Sequence, residues 1–555
     1  MFSFAINCFN EELHIFNCIY SIYNLTDDIV IINNNSTDNT DQEIKKFIQL
    51  YDLKKKITYI KENTNLTIAE ARNKALDLCK NEFIVKWDGD FISYNVEYCL
   101  NYIKKNEENN ILFDLYLWSA PNLIYDIEFL DKNNKYAGFS GDQFISRKNS
   151  ICYFSGNNYP DEIHKNKKIR INYFLKNQTI NCNNYYFFHW YKIKPLKYFI
   201  YRLYWPSIHL KKIDYKDIYT CIENISGQSI SELTVKLKND ILKRDKEFFI
   251  KHNDKNILNF VSSYNIILFK YGNHCILKDY KNDYIEWQHN ELIKEKFEKE
   301  HLSKINKEIV IYEKSFLMHH CYYNNFKHFT ETFNILEHYL NYKYDKKLLV
   351  LHNCLYNKIK PIIDILHIDF KNIIILEDNI KYNFKNLIYN NKHYYGNIYN
   401  DLKNLSFIKT LIDNIELSEN LNYTKYNKIY LKRGSVKKRV LNENLIIDYL
   451  KDMNYKIIEF TNESDILEQI YTIYYANEII VTIGAGCNNI IMKNKDCIFK
   501  CLIPKYNPYK SWANIYKNFE NFKIIECGDI VYINEQSRCD SEWILNDEFK
   551  ILIKI

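Results

Sequence analysis

The stretch Phe83-Ile84-Val85-Lys86-Trp87-Asp88-Gly89-Asp90 is an apolar run that ends in two carboxylates. Its length and composition predict a buried β-strand, and Gly89 gives the backbone the freedom to bring Asp88 and Asp90 together where the strand ends. Two such carboxylates can hold one hard divalent cation and leave coordination positions for a diphosphate. An isolated Asp-x-Asp is more often a solvated turn, so the interpretation depends on the surrounding sequence.

The residues before this strand alternate between strand and helix patterns. Apolar runs predict strands at 2–8, 29–32 and 56–60. Asn10 is placed to cap a helix after the first strand, and Thr67 with Glu70 predicts a capping box at the start of another helix. The alternation predicts an α/β fold with a mostly parallel sheet, in which ligands bind beyond the carboxyl ends of the strands. Asp88 and Asp90 follow such an end.

Four ordered blocks resemble family 2 glycosyltransferases of the GT-A fold, a Rossmann-like nucleotide-diphospho-sugar transferase fold. They are residues 5–12 (AINCFNEE), 31–40 (IINNNSTDNT), 69–75 (AEARNKA) and 87–90 (WDGD). The resemblance implies that Asn10 and the turn from Asn33 to Asp38 contact the nucleotide. It implies that Arg72 lies near the diphosphate, and that Asp88 and Asp90 bind the ribose and the metal. The implied cofactors are a nucleotide-sugar donor, with a UDP-sugar as first choice, and Mn²⁺ or Mg²⁺. One departure is Asn33, which stands where the family usually has an aspartate facing the base.

Two further roles of this half fall on later residues. The aromatic strand 185–190 resembles the place where such enzymes often carry a third metal ligand, which makes His189 the candidate, with a structural histidine as the alternative. Inverting transfer needs a carboxylate base near the acceptor hydroxyl. Asp161 and Glu162 are the candidates, with Asp142 as runner-up. The alternative for each of them, taken singly, is an ordinary carboxylate at the protein surface.

Three blocks mark the C-terminal half: residues 319–331 (HHCYYNNFKHFTE), 429–443 (IYLKRGSVKKRVLNE) and 478–491 (EIIVTIGAGCNNII). The last predicts a strand, a Gly484-Ala485-Gly486 turn and a helix, whose glycines let the backbone approach an anion at the helix N-terminus. Arg433 and Arg439 would complete a phosphate cradle that needs no metal, with solvated surface charge as the alternative. The histidine spacing matches no standard metal site, so a hydrogen-bonding or general-base role is preferred.

Together these blocks resemble family 61 glycosyltransferases, which have the two-lobed GT-B architecture. The residues carried over by the resemblance are Asn325, His328, Phe329, Arg433, Arg439, Asn442, Gly484, Ala485, Gly486 and Asn489. His328 and Glu331 are the catalytic candidates of this half. Many members carry histidine at the position of Ile483, so the departure implies either an altered donor choice or a half that only binds glycan.

Composition narrows the class of protein. Hydrophobic residues make up 46% and charged residues 26%, which is a globular composition, and a length of 555 residues predicts two or three domains. A formal charge of +6, from scattered basic residues, argues against a nucleic-acid partner. The 15 cysteines form no C-x-x-C pair and no apolar run reaches a membrane-spanning length, so a cytoplasmic protein with reduced thiols is expected. The Asn, Lys, Ile and Tyr bias is typical of an AT-rich genome, which would suit a viral or parasite protein acting in host cytoplasm.

The predicted organisation is a GT-A domain at 1–220, a helical connector at 221–255 and a GT-B-like domain at 256–555, with lobes at about 256–420 and 421–555. The leading hypothesis is a bifunctional glycosyltransferase that moves sugars to a glycan or glycoprotein acceptor. The N-terminal domain would transfer a sugar with inversion of its configuration in a metal-dependent reaction. The C-terminal domain would also invert the configuration, but without a metal. The alternative is one active N-terminal domain with a C-terminal glycan-binding or docking module. A structural or nucleic-acid-binding protein is the third class, which the mild positive charge barely supports.

Overall fold

The computed structural model of this chain divides into two compact units, Met1–Tyr264 and Asn265–Ile555. In the first unit it describes residues 1–64, 66–111, 115–117, 122–124, 126–131, 144–148, 151–154, 161–164, 177–179, 187–192, 200, 204, 218–233, 235–236 and 249–251. From 264 onward it describes 264–271, 274–278, 291–319, 330, 332–343, 346–389, 402, 405–432, 440–461, 463–532 and 542–554.

A seven-stranded sheet forms the centre of unit 1. Its strands, in spatial order, are β12 (Asn177–Thr179), β6 (Leu115–Leu117), β9 (Phe144–Arg147), β4 (Phe83–Asp88), β1 (Phe2–Cys8), β2 (Asp28–Asn33) and β3 (Ile57–Lys61). β1 to β4 run parallel, and β9 is antiparallel to both of its neighbours. The predicted strands therefore form, and the mostly parallel sheet is confirmed.

β1 lies between β2 and β4, so the chain reverses its direction across the sheet there. After β1 it moves outward through β2 and β3, and then returns to add β4 on the other side. Asn7 in β1 is paired with Asp88 in β4, at the carboxyl ends of both strands. A reversal of this kind opens a crevice at the carboxyl edge, which is where open α/β sheets bind ligands.

Four helices connect these strands: α1 (Ile15–Ile22), α2 (Thr40–Tyr51), α3 (Ile68–Leu78) and α4 (Val96–Glu108). The Thr67 and Glu70 capping box of α3 is confirmed. The prediction that Asn10 caps α1 is wrong, because α1 begins at Ile15. Asn10 has a left-handed backbone (φ 53°), and its side chain is bonded to Thr37 instead.

The rest of unit 1 contains a smaller sheet, a hairpin and a helix. The sheet has the order β14 (Phe249–Lys251), β8 (Asp126–Asp131), β7 (Asn122–Ile124), β13 (Phe187–Lys192) and β5 (Phe91–Ser93). β10 (Ile151–Phe154) and β11 (Asp161–His164) form the antiparallel hairpin, and α5 is Ile218–Ser226. Within the helical connector predicted at 221–255, Phe249–Lys251 forms strand β14 and pairs with β8.

Unit 2 contains two sheets. The first has the order β16 (His274–Lys278), β15 (Tyr264–Tyr271), β21 (Ile380–Tyr389), β18 (Lys314–Met318), β19 (Lys347–His352) and β20 (Ile373–Leu376), with β17 (Lys307–Ile311) also on β21. β17 to β21 pair in parallel, and β15 and β16 form an antiparallel edge. The helices of this part are α6 (Glu291–Glu300), α7 (Phe333–Asn341), α8 (Asn353–Ile365) and α9 (Phe407–Leu417).

The second sheet has the order β23 (Lys456–Ile458), β22 (Lys428–Leu431), β24 (Glu478–Thr482), β25 (Ile498–Pro504), β26 (Phe522–Tyr532) and β27 (Glu542–Leu545), and only β27 is antiparallel. Its helices are α10 (Glu443–Asp452), α11 (Ile466–Tyr475), α12 (Asn507–Ala513) and α13 (Phe549–Leu552). The segment Ala485–Met492, predicted as a helix, is a 3₁₀ helix. One hydrophobic core cluster includes residues on both sheets of unit 2.

Candidate active site

A pocket open to solvent lies at the carboxyl edge of the unit 1 sheet. Its lining comes from β1, α3, β4 and β10, namely Ala5, Asn7, Arg72, Ala75, Leu76, Lys86, Trp87, Asp88 and Tyr153. Because β1 and β4 are the strands at which the sheet order reverses, the pocket occupies the crevice that the topology creates. Asp88 and Arg72, which the sequence places in one nucleotide site, therefore share a pocket.

Asp88 faces two cations in this pocket. Its Oδ1 is 3.7 Å from Nη2 of Arg72 and its Oδ2 is 3.5 Å from Nζ of Lys86. Arg72 and Lys86 are 11% and 5% exposed as side chains, whereas Asp88 keeps 23%. Arg72 and Lys86 therefore place two largely desolvated cations at the pocket beside Asp88, and cations of this kind can contact a diphosphate.

Helix α3 sets the position of Arg72. The capping box fixes where the helix begins, and Asn73 exchanges two 2.8 Å hydrogen bonds with the backbone of Tyr153 in β10. The Arg72 guanidinium then lies over the Tyr153 ring, 5.2 Å from its centre. An arginine held against an aromatic face keeps its planar set of N–H donors oriented toward the pocket.

Gly89 is required by close packing at the end of β4. A Cβ at this position would come within 2.7 Å of Cys8 Cβ and 3.1 Å of Glu11 Cγ. The absent side chain lets β4 turn directly against the end of β1. The glycine between the two aspartates thus serves packing as well as backbone freedom.

Asp90 lies deeper than Asp88. It is 1% exposed and does not line the pocket, whereas Asp88 does. Burial raises the pKa of the Cys18 thiol, and the charge on Asp90 adds to this effect, so Asp90 is close to α1. Where both carboxylates were expected at one face of the strand end, Asp88 closes β4 and Asp90 belongs to the turn that leads into β5.

The polar turn after β2 is built by its own hydrogen bonds. Asn10 accepts a 2.8 Å bond from the Thr37 backbone, and Asn33 accepts one of 3.1 Å from Ser36 while donating to Tyr59. Asp38 accepts bonds from Thr40 and from the backbone N–H of Glu12. Burial raises the pKa of Asp38 above its ordinary value, and these bonds act against that rise. Asn10, Asn33 and Asp38 therefore shape the turn, and their contact with a nucleotide stays a prediction.

His189 is brought close to the Asp-Gly-Asp turn by its backbone register. β13 runs antiparallel to β5 and pairs His189 with Phe91, the residue that follows Asp90. The side chain of His189 lies outside the described residues. Among the side chains that are described, no group of three or more His, Cys, Asp or Glu is placed to hold a metal.

The base candidates belong to the hairpin over α3. β10 and β11 pair Tyr153 with Glu162 and Phe154 with Asp161. Because Tyr153 lines the pocket, the hairpin places the backbone of Glu162 beside the pocket wall. The side chains of Asp161 and Glu162, and all of Asp142, lie outside the described residues, so their roles stay predictions.

In unit 2, the Gly484-Ala485-Gly486 segment follows β24. It was predicted as a turn before a helix, but the 3₁₀ helix already begins at Ala485. Asn489 donates a 2.7 Å hydrogen bond to the Gly486 carbonyl and accepts one of 2.8 Å from Gln469. Asn489 is 3% exposed, and its side chain therefore stabilises this segment through buried hydrogen bonds. Ile483, which precedes the turn, is fully buried. The side chain of Ala485 lies outside the described residues.

The remaining unit 2 candidates divide into two groups. Asn442 exchanges two hydrogen bonds with the backbone of Leu545 and so anchors β27. His319, at the end of β18, is 2% exposed and accepts a 3.2 Å bond from the Cys275 backbone. The candidates that lie outside the described residues are His320, Asn325, His328, Phe329, Glu331, Arg433 and Arg439.

Sequence reasoning missed three residues of the unit 1 pocket. Lys86 is the one with a signal, since a lysine two positions before Asp88 interrupts an otherwise apolar strand. Tyr153 is 81 positions from Arg72 in sequence, and Asn7 is polar at the end of a strand, a common position for an asparagine. Only the folded sheet and hairpin bring these side chains together.

Two family models match this chain in the predicted order. Glycosyl transferase family 2 matches residues 3–166, and Glycosyltransferase 61 matches residues 257–499. The chain therefore contains a family 2 glycosyltransferase domain, followed by a family 61 glycosyltransferase domain. A comparison with curated proteins found no match.

Solved structures similar to this chain resemble parts of it. One is S. aureus TarS 1–349 in complex with UDP-GlcNAc, at 17% identity over 39% of this chain and 67% of that one, with a TM-score of 0.26. Another is glucosyl-3-phosphoglycerate synthase from Mycobacterium tuberculosis in complex with Mg²⁺ and UDP, at 13% identity over 28% and 59%, with a TM-score of 0.21. This chain spans 66% of TarS 1–349 and 40% of the longer TarS structure. Scores of this size do not establish a shared overall fold.

Proposed function

We propose that unit 1 binds a nucleoside-diphosphate sugar, with a UDP-sugar as first choice, and transfers the sugar to a glycan or glycoprotein. The observation that carries the proposal is the position of Asp88, between Arg72 and Lys86 at the crevice where the sheet order reverses. Cationic groups held in a desolvated pocket stabilise charge that develops on a leaving diphosphate. The family 2 match supports the same chemistry.

We also propose a divalent cation at the end of β4. Asp88 and Asp90 would supply carboxylate oxygens, which Mg²⁺ and Mn²⁺ prefer, and His189 is the proposed third ligand because its backbone is paired with Phe91. When bound, the metal would neutralise negative charge on the diphosphate. Arg72 and Lys86 would share that task and orient the pyrophosphate before the reaction.

Inversion at the sugar requires one direct attack by the acceptor hydroxyl. A carboxylate accepts the proton of that hydroxyl, and we assign this role to Glu162 or Asp161 in β11. The pairing of Glu162 with Tyr153 supports the assignment, since it brings β11 beside the pocket wall. Asp142 remains the second choice.

For unit 2 we propose a second inverting transfer that uses no metal. The Gly484-Ala485-Gly486 turn follows a parallel strand and is held by Asn489, and Arg433 and Arg439 would supply the positive charge. The two units would then add two sugars in succession. In the alternative, unit 2 only docks glycan. Arg433→Ala would abolish a second transfer in the first case, and would weaken acceptor binding without changing transfer in the second.

We further propose that the protein works in a reducing compartment such as the cytoplasm. None of the eleven described cysteines is in a disulfide, and nine of them are buried. Buried thiols outside disulfides are typical of proteins that are kept reduced. None of the described helices is long and apolar enough to cross a membrane.

The test is a hydrolysis and transfer screen of nucleotide sugars with the full chain, in Mn²⁺ and in EDTA. Asp90→Ala should remove the metal-dependent turnover. Asp77→Ala changes an exposed carboxylate on α3 and is the matched control, which should behave as wild type. Metal-dependent turnover that survives Asp90→Ala would exclude the proposed site.

A further inference from the structure

A fully buried side chain in unit 2 joins two of the three blocks that the sequence singles out, residues 319–331 and 478–491. Asn488 donates a 2.9 Å hydrogen bond from Nδ2 to Oγ1 of Thr330, and its Oδ1 accepts a 2.7 Å bond from the Tyr516 hydroxyl. All three residues are 0% exposed. Both polar groups of the Asn488 amide are thus bonded in a place that water does not reach.

The residues in this chain of bonds lie far apart in sequence. Thr330 stands between Phe329 and Glu331 in the histidine-rich block, just before α7, which packs against β18 of the first sheet. Asn488 lies 158 positions later, in the 3₁₀ segment that follows β24 of the second sheet. The bond between them therefore links the two sheets of unit 2 at the two candidate donor-site motifs.

Polar bonding of this kind specifies geometry more than it adds stability. A leucine would fill a similar volume without a fixed partner, whereas an amide buried in low dielectric is costly unless its donor and acceptor are both satisfied. On the other side of the turn, Asn489 holds the Gly486 carbonyl, so adjacent asparagines fix the turn in two directions.

We propose that Asn488 is a positioning residue, which holds the Gly484-Ala485-Gly486 segment in the geometry of the proposed donor site by bonding it to Thr330, just before α7. The inference rests on the proposed function of unit 2. Asn488 itself need not touch the donor, because its amide is occupied by Thr330 and Tyr516.

The experiment compares Thr330→Val with Thr330→Ser in the full chain, in EDTA and with Asp90→Ala to silence unit 1. Valine removes the hydroxyl at nearly constant shape, and serine keeps it. Amide hydrogen exchange at residues 484–489 should become about tenfold faster in Thr330→Val, because the bond from Asn488 to the Thr330 hydroxyl is lost, and should stay unchanged in Thr330→Ser. Asn488→Leu should have the same effect on the backbone around Thr330. UDP affinity should fall about tenfold in both apolar variants and recover in the serine variant.

Each outcome decides a separate point. If exchange at 484–489 is unchanged in Thr330→Val, the link does not hold the turn and the inference is wrong. If exchange accelerates but UDP affinity is unchanged, the link is structural only, and the positioning role is wrong. If the Asp90→Ala chain binds no UDP in EDTA, the proposed donor site of unit 2 fails, and the exchange data alone still decide whether the link exists.

Discussion

Gly89→Ala should disable the unit 1 site by displacing its strands. The new Cβ would lie 2.7 Å from Cys8 Cβ, and an ordinary contact begins at 3.4 Å, so β1 and β4 must separate by about 0.7 Å there. Cys8 Cβ is fixed to the strand backbone and cannot rotate away. Overpacking of this kind costs about 1 to 3 kcal/mol of folding free energy. A displacement approaching 1 Å next to reacting groups reduces turnover by about 100-fold.

The assay is calorimetric titration of UDP in Mn²⁺, with thermal unfolding measured in parallel. Cys8→Gly should partly rescue Gly89→Ala, because the contact that remains is Glu11 Cγ at 3.1 Å, on a flexible side chain. Gly227→Ala is the control: it has φ of +67° and no atom within 4 Å, so it should lose about 1 kcal/mol of stability without loss of UDP binding. Unchanged stability and UDP binding in Gly89→Ala would refute the packing argument.

Three further predictions concern buried charge and thiols. Asp88→Asn should cost about 1 kcal/mol, since Arg72 and Lys86 lose a carboxylate partner that is only partly buried, and Lys86→Met in the same chain should recover part of it; additive losses in urea unfolding would contradict the pairing. Burial lowers the pKa of Lys314 to about 7, so between pH 7 and 9 the unfolded chain binds more protons than the folded chain. The free energy of unfolding should therefore rise by about 2 kcal/mol over this range, relative to that of Lys314→Met. Parallel pH profiles of the free energy of unfolding for the two proteins would exclude this. Iodoacetamide labelling of the native protein, followed by mass spectrometry, should modify Cys221 and Cys354 first, because the other nine described cysteines are buried. Early labelling of a buried cysteine would contradict the described core.

Local sequence signals predicted the framework of unit 1 well. Apolar runs located β1 to β4 within a residue or two, and the Thr67 capping box fixed the start of α3, because these features depend on neighbouring residues. Asn10 was mispredicted for the opposite reason. Its cap-like side chain is drawn to Thr37, 27 positions away, and the helix begins only at Ile15.

The site was predictable only in part for the same physical reason. Asp88 and Arg72 were recognisable from their motifs, but the role of Tyr153 depends on a hairpin that folds back onto α3. Between the two aspartates, Gly89 packs against Cys8, a contact that no local pattern reveals. In unit 2 the bond between Thr330 and Asn488 spans 158 positions, so it is visible only in the folded protein.

The most direct test of the central claim is UDP titration into the full wild-type chain and into Asp90→Ala, each in Mn²⁺ and in EDTA. We predict that each wild-type chain binds two UDP molecules in Mn²⁺. It should bind one after Asp90→Ala or in EDTA, because only unit 1 relies on the metal. Isotherms that are identical in all four titrations would contradict a metal-dependent donor site at Asp88 and Asp90.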